Sequence, residues 1–138
     1  MKTVIQFCLS AAAATLLAFC AVGASAQDTA IRDRISDLVT QDLRIASDTP
    51  GIELFLRNKH PKDWAATSGR VLLYVHGATY PSETAFDLKL DGMSWMDYIA
   101  AQGWDVWLVD LRGYGGSSRP PEMEKAAKEN APLVTTDV

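Results

Sequence analysis

The sequence predicts an α/β fold built around one strand–helix–strand unit, and three observations support this fold class. Val71–Val75 is an uninterrupted apolar run of strand length, and Asp105–Asp110 encloses a second one. Runs without polar alternation are typical of strands buried on both faces of a parallel sheet. Between them, the segment from Ser94 to Asp97 has the S-x-x-D form of a capping box, and Gly103 is placed to end the helix. Such a crossover joins parallel strands with a right-handed turn.

The first 26 residues predict a secretory signal peptide that precedes the fold. Lys2 is followed by an apolar stretch at residues 7–22, and Ala24, Ser25 and Ala26 form a small-residue cleavage site. The apolar stretch is too short and too interrupted by polar residues for a membrane span. We therefore expect cleavage after Ala26 and an exported protein, periplasmic or extracellular, without a stable membrane anchor.

Cleavage there would leave an acidic mature chain without cysteine. Cys8 and Cys20 both lie in the leader, and the loss of Lys2 leaves 12 basic against 17 acidic side chains, a net charge of −5. Such a chain has no disulfide, no zinc–thiolate site and no cysteine nucleophile. An acidic balance also gives no electrostatic basis for binding nucleic acid. Neither a cofactor nor a metal site is predicted.

Before the strand–helix–strand unit, the sequence predicts a helix, a hairpin and a loop. Segment 27–44 predicts a surface helix because its apolar side chains recur at helical spacing. They are Ile31, Ile35, Leu38, Val39 and Leu43. The turn signal Asp-Thr-Pro-Gly at residues 48–51 predicts a hairpin of short strands at 44–47 and 52–57. The polar segment 58–69 predicts a loop, and the charged segment 122–130 predicts a late helical stretch.

Two motifs directly follow the two predicted strands. His76 to Pro81 reads H-G-A-T-Y-P, and Asp110 to Ser117 reads D-L-R-G-Y-G-G-S. Open α/β sheets place their binding crevices where parallel strands end. Together the motifs resemble the amino-terminal half of the α/β-hydrolase family, with its His-Gly turn after the third strand and its D-x-R-G-x-G-x-S loop after the fourth. The resemblance covers about residues 45–138.

The resemblance implies roles for the matching positions. The family uses a backbone N–H after the His-Gly turn in its oxyanion hole, and here that N–H belongs to Ala78, with Thr79 as its neighbour. Gly77 suits a close approach of substrate to backbone. We interpret His76 as a residue that holds the turn by hydrogen bonding and transfers no proton. The positions interpreted as support for the second loop are Asp110, Arg112, Gly113, Gly115 and Ser117.

The family's catalytic residues are not found in the 138 residues. Its nucleophile stands in a G-x-S-x-G elbow and is followed by an acid and a histidine. Ser94 and Ser117 both lack the second glycine of that pattern, no serine follows Ser118, and no histidine follows His76. We therefore expect the amino-terminal part of a secreted ester- or amide-cleaving hydrolase, truncated before its catalytic residues and inactive alone. A dinucleotide-binding fingerprint also fails, because Ser118 takes its last glycine position.

Two alternatives remain open from the residues. The chain could be a non-enzymatic secreted protein that binds a small hydrophobic ligand, or the product of an interrupted gene without a function. The family's strand order also predicts that Val71–Val75 lies at an edge of the sheet, with Asp105–Asp110 on one side. An uncharged apolar edge is a site for self-association, so we expect the isolated chain to self-associate through it.

Overall fold

A four-stranded mixed sheet forms the centre of the protein in a computed structural model that describes residues 29–66 and 69–129. Its strands are β1 (Leu38–Ala46), β2 (Glu53–Pro61), β3 (Val71–Val75) and β4 (Asp105–Asp110), in the order β1-β2-β4-β3. β1 and β2 form an antiparallel hairpin, β2 runs antiparallel to β4, and β3 runs parallel to β4. The sheet confirms the α/β class and the predicted strand order. The predicted signal peptide lies outside the described residues.

Short helices complete the described part of the chain. Residues 29–35 form helix α1, and helices α2 (Ser82–Phe86) and α3 (Trp95–Ala101) lie between β3 and β4. The chain divides into two units after Asp33, and residues 29–33, the described part of the first unit, are helical. Among the described residues, no helix has the length and apolar character needed to cross a membrane.

The strand–helix–strand unit matches the sequence prediction in its two strands, in α3 and in its cap, whereas α2 forms in the segment predicted as the loop before Ser94. Ser94 Oγ accepts a hydrogen bond from the Asp97 N–H at 2.9 Å, and Asp97 Oδ2 accepts one from the Ser94 N–H at 3.1 Å. This reciprocal pair satisfies two donors that a helix start leaves open. Gly103, with φ +92°, lies in the left-handed region after α3 and turns the chain into β4.

The prediction of a helix over residues 27–44 is wrong from Leu38 onward. Helix α1 ends at residue 35, and the next apolar residues belong to β1, which pairs with β2 along nine residues. Leu38, Val39 and Leu43 fit helical spacing, but the pairing of Leu43 with Leu56, thirteen residues along the chain, makes this segment a strand. The turn is confirmed, since the Ile52 N–H donates to the Thr49 carbonyl at 3.1 Å.

The predicted loop at residues 58–69 is wrong over its first part. β2 continues to Pro61, and Asn58 and Lys59 are buried within it. Polar residues are usually read as loop because burying them is costly without partners. Here Asn58 Nδ2 donates to Asp105 Oδ1 and to the Val106 carbonyl. At the other end, where a helical stretch was predicted, the described residues form two 3₁₀ turns, Pro121–Glu124 and Ala127–Glu129.

The hydrophobic core lies on the face of the sheet that α2 and α3 cover. Its buried members are Phe86, Met96, Ala100, Val106 and Leu108. From β3, the side chains of Leu72 and Tyr74 pack against this cluster, and the Tyr74 ring stacks on Phe86 at 4.4 Å. The alternate residues of β3 are exposed, so the expectation of burial on both faces of this strand is wrong in this structure.

Candidate functional site

The two motif loops meet where β3 and β4 end. The Leu111 N–H donates to His76 Nε2 at 3.0 Å, and the Tyr114 hydroxyl donates to the Ala78 carbonyl. The Tyr114 ring also lies against the His76 ring, with centroids 4.5 Å apart. Each of the two loops therefore holds the other, as expected for the carboxyl ends of neighbouring parallel strands.

His76 is buried and uses both ring nitrogens within these loops. Because Nε2 accepts from the Leu111 N–H, the ring proton is assigned to Nδ1, which donates to the Gly77 carbonyl at 2.6 Å. A neutral ring with both nitrogens engaged locks the turn after β3. It offers no lone pair to a nucleophile and no proton to a leaving group.

Asp110 organises the second loop through its carboxylate. Its side chain is fully buried, Oδ1 accepts from the Ser82 N–H at 2.7 Å, and Oδ2 accepts from the Gly116 N–H at 2.9 Å. Backbone N–H groups, rather than the guanidinium of Arg112 two residues along the chain, therefore hold this carboxylate. Arg112 Nη1 instead approaches Thr49 Oγ1 at 3.5 Å. Carboxylates that accept backbone N–H bonds make strong, charge-assisted contacts.

The glycines of the second loop are required by close packing and backbone conformation. Gly113 and Gly115 have positive φ values of +85° and +46°. A Cβ on Gly115 would collide with the Asp110 carboxylate and stand 2.9 Å from Pro81 Cβ. A Cβ on Gly113 would collide with the Met123 side chain. Only a residue without a side chain fits both positions.

Three serines that the sequence analysis singled out have structural hydrogen bonds. Ser94 Oγ caps α3 and donates to Asp87 Oδ1 at 2.7 Å. Ser117 Oγ accepts from the Phe55 N–H at 2.8 Å and donates to the Asp110 carbonyl. Ser118 Oγ accepts from the Glu53 N–H at 3.0 Å. None of these hydrogen bonds joins a hydroxyl to a histidine ring or a lysine amine, the bases that usually activate a serine nucleophile.

The turn after β3 presents backbone donors to solvent. Ala78 and Thr79 are exposed, and their N–H groups donate to no other group within the described ranges. The nearest heavy atoms leave at least 4 Å around the position of a Cβ on Gly77, so the space beside the turn is open. The arrangement can bind an oxyanion or carboxylate through main-chain N–H groups.

A buried charge cluster on the helix-covered face was missed by the sequence analysis. Lys59 Nζ lies 2.5 Å from Asp87 Oδ1 and 2.6 Å from Asp97 Oδ1, and these three side chains are at most 5% exposed. Arg57 Nη1 also reaches Asp87 Oδ2 at 3.0 Å. We call the four residues Arg57, Lys59, Asp87 and Asp97 the β2 charge cluster. Alternation of Arg57 and Lys59 along one face of β2 was its only sequence signal.

The charges in this cluster set the protonation of Asp97. Burial alone would raise the pKa of its carboxyl group, since desolvation disfavours the charged form. The hydrogen bond and charge of Lys59, with the Ser94 N–H and Lys89, outweigh burial and hold the pKa below its ordinary value. The Arg57 side chain in turn lowers the pKa of Asp42, through hydrogen bonds of 2.7 and 2.9 Å.

Two cavities lie away from the motif loops. One of about 640 Å³ is lined by charged residues including Arg34 and Lys62, beside Gly103 and therefore at the end where β4 begins. The other, of about 330 Å³, is an apolar groove beside α3 that includes Leu90 and Trp95. In the part of the chain that the structure describes, no cluster of His, Cys, Asp and Glu side chains fits a metal ion.

Comparison with known proteins finds likeness at the level of structure alone. No protein-family model and no curated protein matches the chain. A thioesterase domain from the curacin biosynthetic pathway is similar at 23% identity and a TM-score of 0.40, over 61% of this chain and 25% of that one. A membrane phospholipase A, described as a novel bacterial virulence factor, is similar at 21% identity and a TM-score of 0.40, over 87% of this chain and 34% of that one. The chain thus spans a quarter to a third of their length.

Proposed function

We propose that this chain supplies the oxyanion-binding loop of a secreted hydrolase that cleaves esters or amides. The observation that carries the proposal is the turn after β3, where Ala78 and Thr79 are exposed and their N–H groups make no hydrogen bond in the described ranges. The turn is fixed by His76 and by the hydroxyl of Tyr114. Donors that are already oriented need no reorganisation when negative charge develops on a carbonyl oxygen.

In this proposal the nucleophile, acid and base come from residues outside these 138. The bonds of Ser94, Ser117 and Ser118 support it, because each hydroxyl is committed to the fold. We expect the chain alone to stay unlabelled by a fluorophosphonate, which reacts with activated serines. Stoichiometric labelling of any of the three serines would contradict this division of roles.

The oxyanion loop can be tested directly by titrating butyrate, a carboxylate, into the ¹⁵N-labelled chain. We expect the amide signals of Ala78 and Thr79 to shift and saturate below about 0.1 M, where even a millimolar site is filled. The Ala78→Pro variant removes one donor and should weaken the remaining shift at Thr79. The Ala78→Gly variant keeps the N–H and serves as the control. Amide signals outside the turn that match those of the parent chain show that each variant is folded. Unmoved signals at both positions would refute the proposal.

We also propose that the protein is exported. The charged start, apolar stretch and small residues before Gln27 support a cleaved leader. The secreted product should begin at Gln27 on amino-terminal sequencing. Soluble protein that still carries Met1 or Lys2 would contradict export by this route.

Binding without turnover is a second candidate function, and the apolar groove beside α3 favours it. The groove is formed by Leu88, Leu90, Met93, Trp95 and Tyr98, and Leu90 and Trp95 are 72% and 68% exposed. Large exposed apolar side chains that line one cavity are typical of ligand or partner sites. A fluorescent apolar dye should bind in this groove of the parent chain. The dye binding should be lost in Leu90→Lys, while the butyrate-induced shift of the Ala78 amide signal persists. Equal dye binding by the parent and Leu90→Lys would contradict a ligand site in this groove.

A further inference from the structure

Two consecutive peptide groups in the turn after β3 have bonded carbonyl oxygens, while their N–H groups make no hydrogen bond within the described part of the chain. The Gly77 carbonyl accepts from His76 Nδ1 at 2.6 Å, and the Ala78 carbonyl accepts from the Tyr114 hydroxyl at 2.5 Å. Each carbonyl shares a planar peptide group with the N–H of the next residue. The N–H groups of Ala78 and Thr79, the two donors of the proposed oxyanion loop, are therefore fixed through the opposite ends of their own peptide groups.

The two bonds also determine where these N–H groups point. The described peptide bonds are all trans, and in a trans peptide the N–H and the C=O point in opposite directions. The rings that hold the carbonyls, His76 and Tyr114, lie against each other with centroids 4.5 Å apart. Both carbonyls therefore point towards one pair of rings, and both N–H groups point away from it. Ala78 and Thr79 are exposed, so this direction leads to solvent.

Tyr114 has a fixed backbone from which its side chain can support the turn. Its N–H donates to the Leu111 carbonyl at 3.0 Å, and its carbonyl accepts from the Ser117 N–H at 2.9 Å. Its side chain reaches from the second motif loop to the first, over 36 positions of sequence, whereas His76 bonds its own neighbour. The direction of the Thr79 N–H is therefore set by the second motif loop.

We propose that Tyr114 is a positioning residue for the oxyanion turn: through the Ala78 carbonyl, its hydroxyl orients and polarises the Thr79 N–H that binds the substrate oxygen. This role rests on the proposed function and adds which side chain prepares the donor. A hydrogen bond to a carbonyl strengthens the N–H of the same peptide group, by about 10–30% per bond where such bonds form a chain. Without the hydroxyl, this peptide group can rotate about the two single bonds that flank it, and its N–H is no longer held towards the ligand.

The Tyr114→Phe variant isolates the hydroxyl, because the phenyl ring can keep its contact with His76. In the ¹³C,¹⁵N-labelled chain without ligand, the ¹³C signal of the Ala78 carbonyl should move upfield, since a hydrogen bond to the oxygen draws electron density from the carbon. The Gly77 carbonyl signal should stay in place, because its bond comes from His76. Tyr98→Phe is the matched control, since it removes a phenol hydroxyl from α3, and it should leave both signals unchanged.

Titration with butyrate measures the consequence for binding. The dissociation constant read from the Thr79 amide signal should rise about fivefold from the parent chain to Tyr114→Phe, as the loss of one hydrogen bond typically causes. Tyr98→Phe should bind butyrate as the parent does. Replacing Tyr114 by 4-aminophenylalanine, which keeps a donor at the same place, should restore the parent constant. Amide signals outside the two motif loops that match those of the parent show that each variant is folded.

The outcomes separate the role of Tyr114 from the proposed function. If butyrate moves neither the Ala78 nor the Thr79 amide signal of the parent chain, the proposed function fails and the role of Tyr114 fails with it. If the parent binds butyrate and Tyr114→Phe binds it equally well, only the role of Tyr114 is overturned, since its hydroxyl then joins the two loops without preparing the donor. An Ala78 carbonyl signal that stays in place in Tyr114→Phe would also overturn it, because the hydroxyl would then not hold this peptide group.

Discussion

Replacing Lys59 by Met is the sharpest test of what stabilises the helix-covered face. The substitution keeps side-chain length but removes an ammonium group that lies within 3 Å of both Asp87 and Asp97. Both carboxylates are 3% exposed, so they stay buried with less compensating charge. Breaking a buried ion pair on one side costs about 3–5 kcal/mol, because an uncompensated charge is left in a medium of low polarity.

The remaining contacts place the expected loss at the lower end of that range. Asp87 keeps Arg57 at 3.0 Å, and Asp97 keeps the Ser94 N–H at 3.1 Å and Lys89 at 3.8 Å. We therefore expect the Lys59→Met variant to lose about 3 kcal/mol in free energy of unfolding. For a domain of this size that corresponds to a decrease in Tm of roughly 12–24 °C.

Urea unfolding followed by circular dichroism measures this loss, with Lys62→Met as the control. Lys62 lies 3.2 Å from Asp37, but both side chains are more than 60% exposed. Exposed pairs contribute about 0–1 kcal/mol, so the control should unfold near the parent midpoint. Equal midpoints for the two variants would refute the reasoning, since burial would then add nothing to the pair at Lys59.

Two further predictions concern the protonation of Asp97 and the close packing at Gly115. Folding lowers the pKa of Asp97 from 3.8, so its contribution to stability is present above that value and is lost as pH falls through the lower folded pKa. The difference in urea midpoint between the parent and Lys59→Met should therefore narrow between pH 7 and about pH 3, where the carboxyl group protonates. A difference that stays constant over this range would contradict the prediction. Gly115→Ala should destabilise the fold by roughly 2–4 kcal/mol, since it adds a clash with Asp110 to the strain of a positive φ. The control Gly92→Ala, at a position with a positive φ but no neighbour within 4 Å, should lose only about 1–2 kcal/mol. Similar losses of the two variants in thermal unfolding would show that the clash at Gly115 relaxes.

The sequence predicted the elements whose signals are local. The apolar runs of β3 and β4, the capping box at Ser94 and the turn before Ile52 each depend on residues close together in the chain. The resemblance to α/β-hydrolases also anticipated the strand order. The contact between the two motif loops followed from parallel strands ending at the same edge.

The candidate site was predictable in position but not in its hydrogen bonds. The residues of both loops were identified from their motifs, since glycines and a histidine after a strand are visible in sequence. The Nδ1 tautomer of His76, the backbone donors of Asp110 and the bond from Tyr114 to Ala78 depend on how two loops meet. The bonds from Leu111 to His76, from Ser82 to Asp110 and from Tyr114 to Ala78 join residues 28 to 36 positions apart, and no local pattern encodes them.

By itself, the sequence determined the strand–helix–strand unit, its caps and the two loops that follow the strands. Only the tertiary structure decided that residues 38–46 form a strand, that Lys59 is buried, and that one row of β3 side chains faces solvent. The physical reason is common to all three. The deciding interactions are long-range: pairing with β2, ion pairs of Lys59 with two aspartates from other elements, and packing of helices on one face of the sheet. They override local preference wherever burial and hydrogen bonding outweigh it.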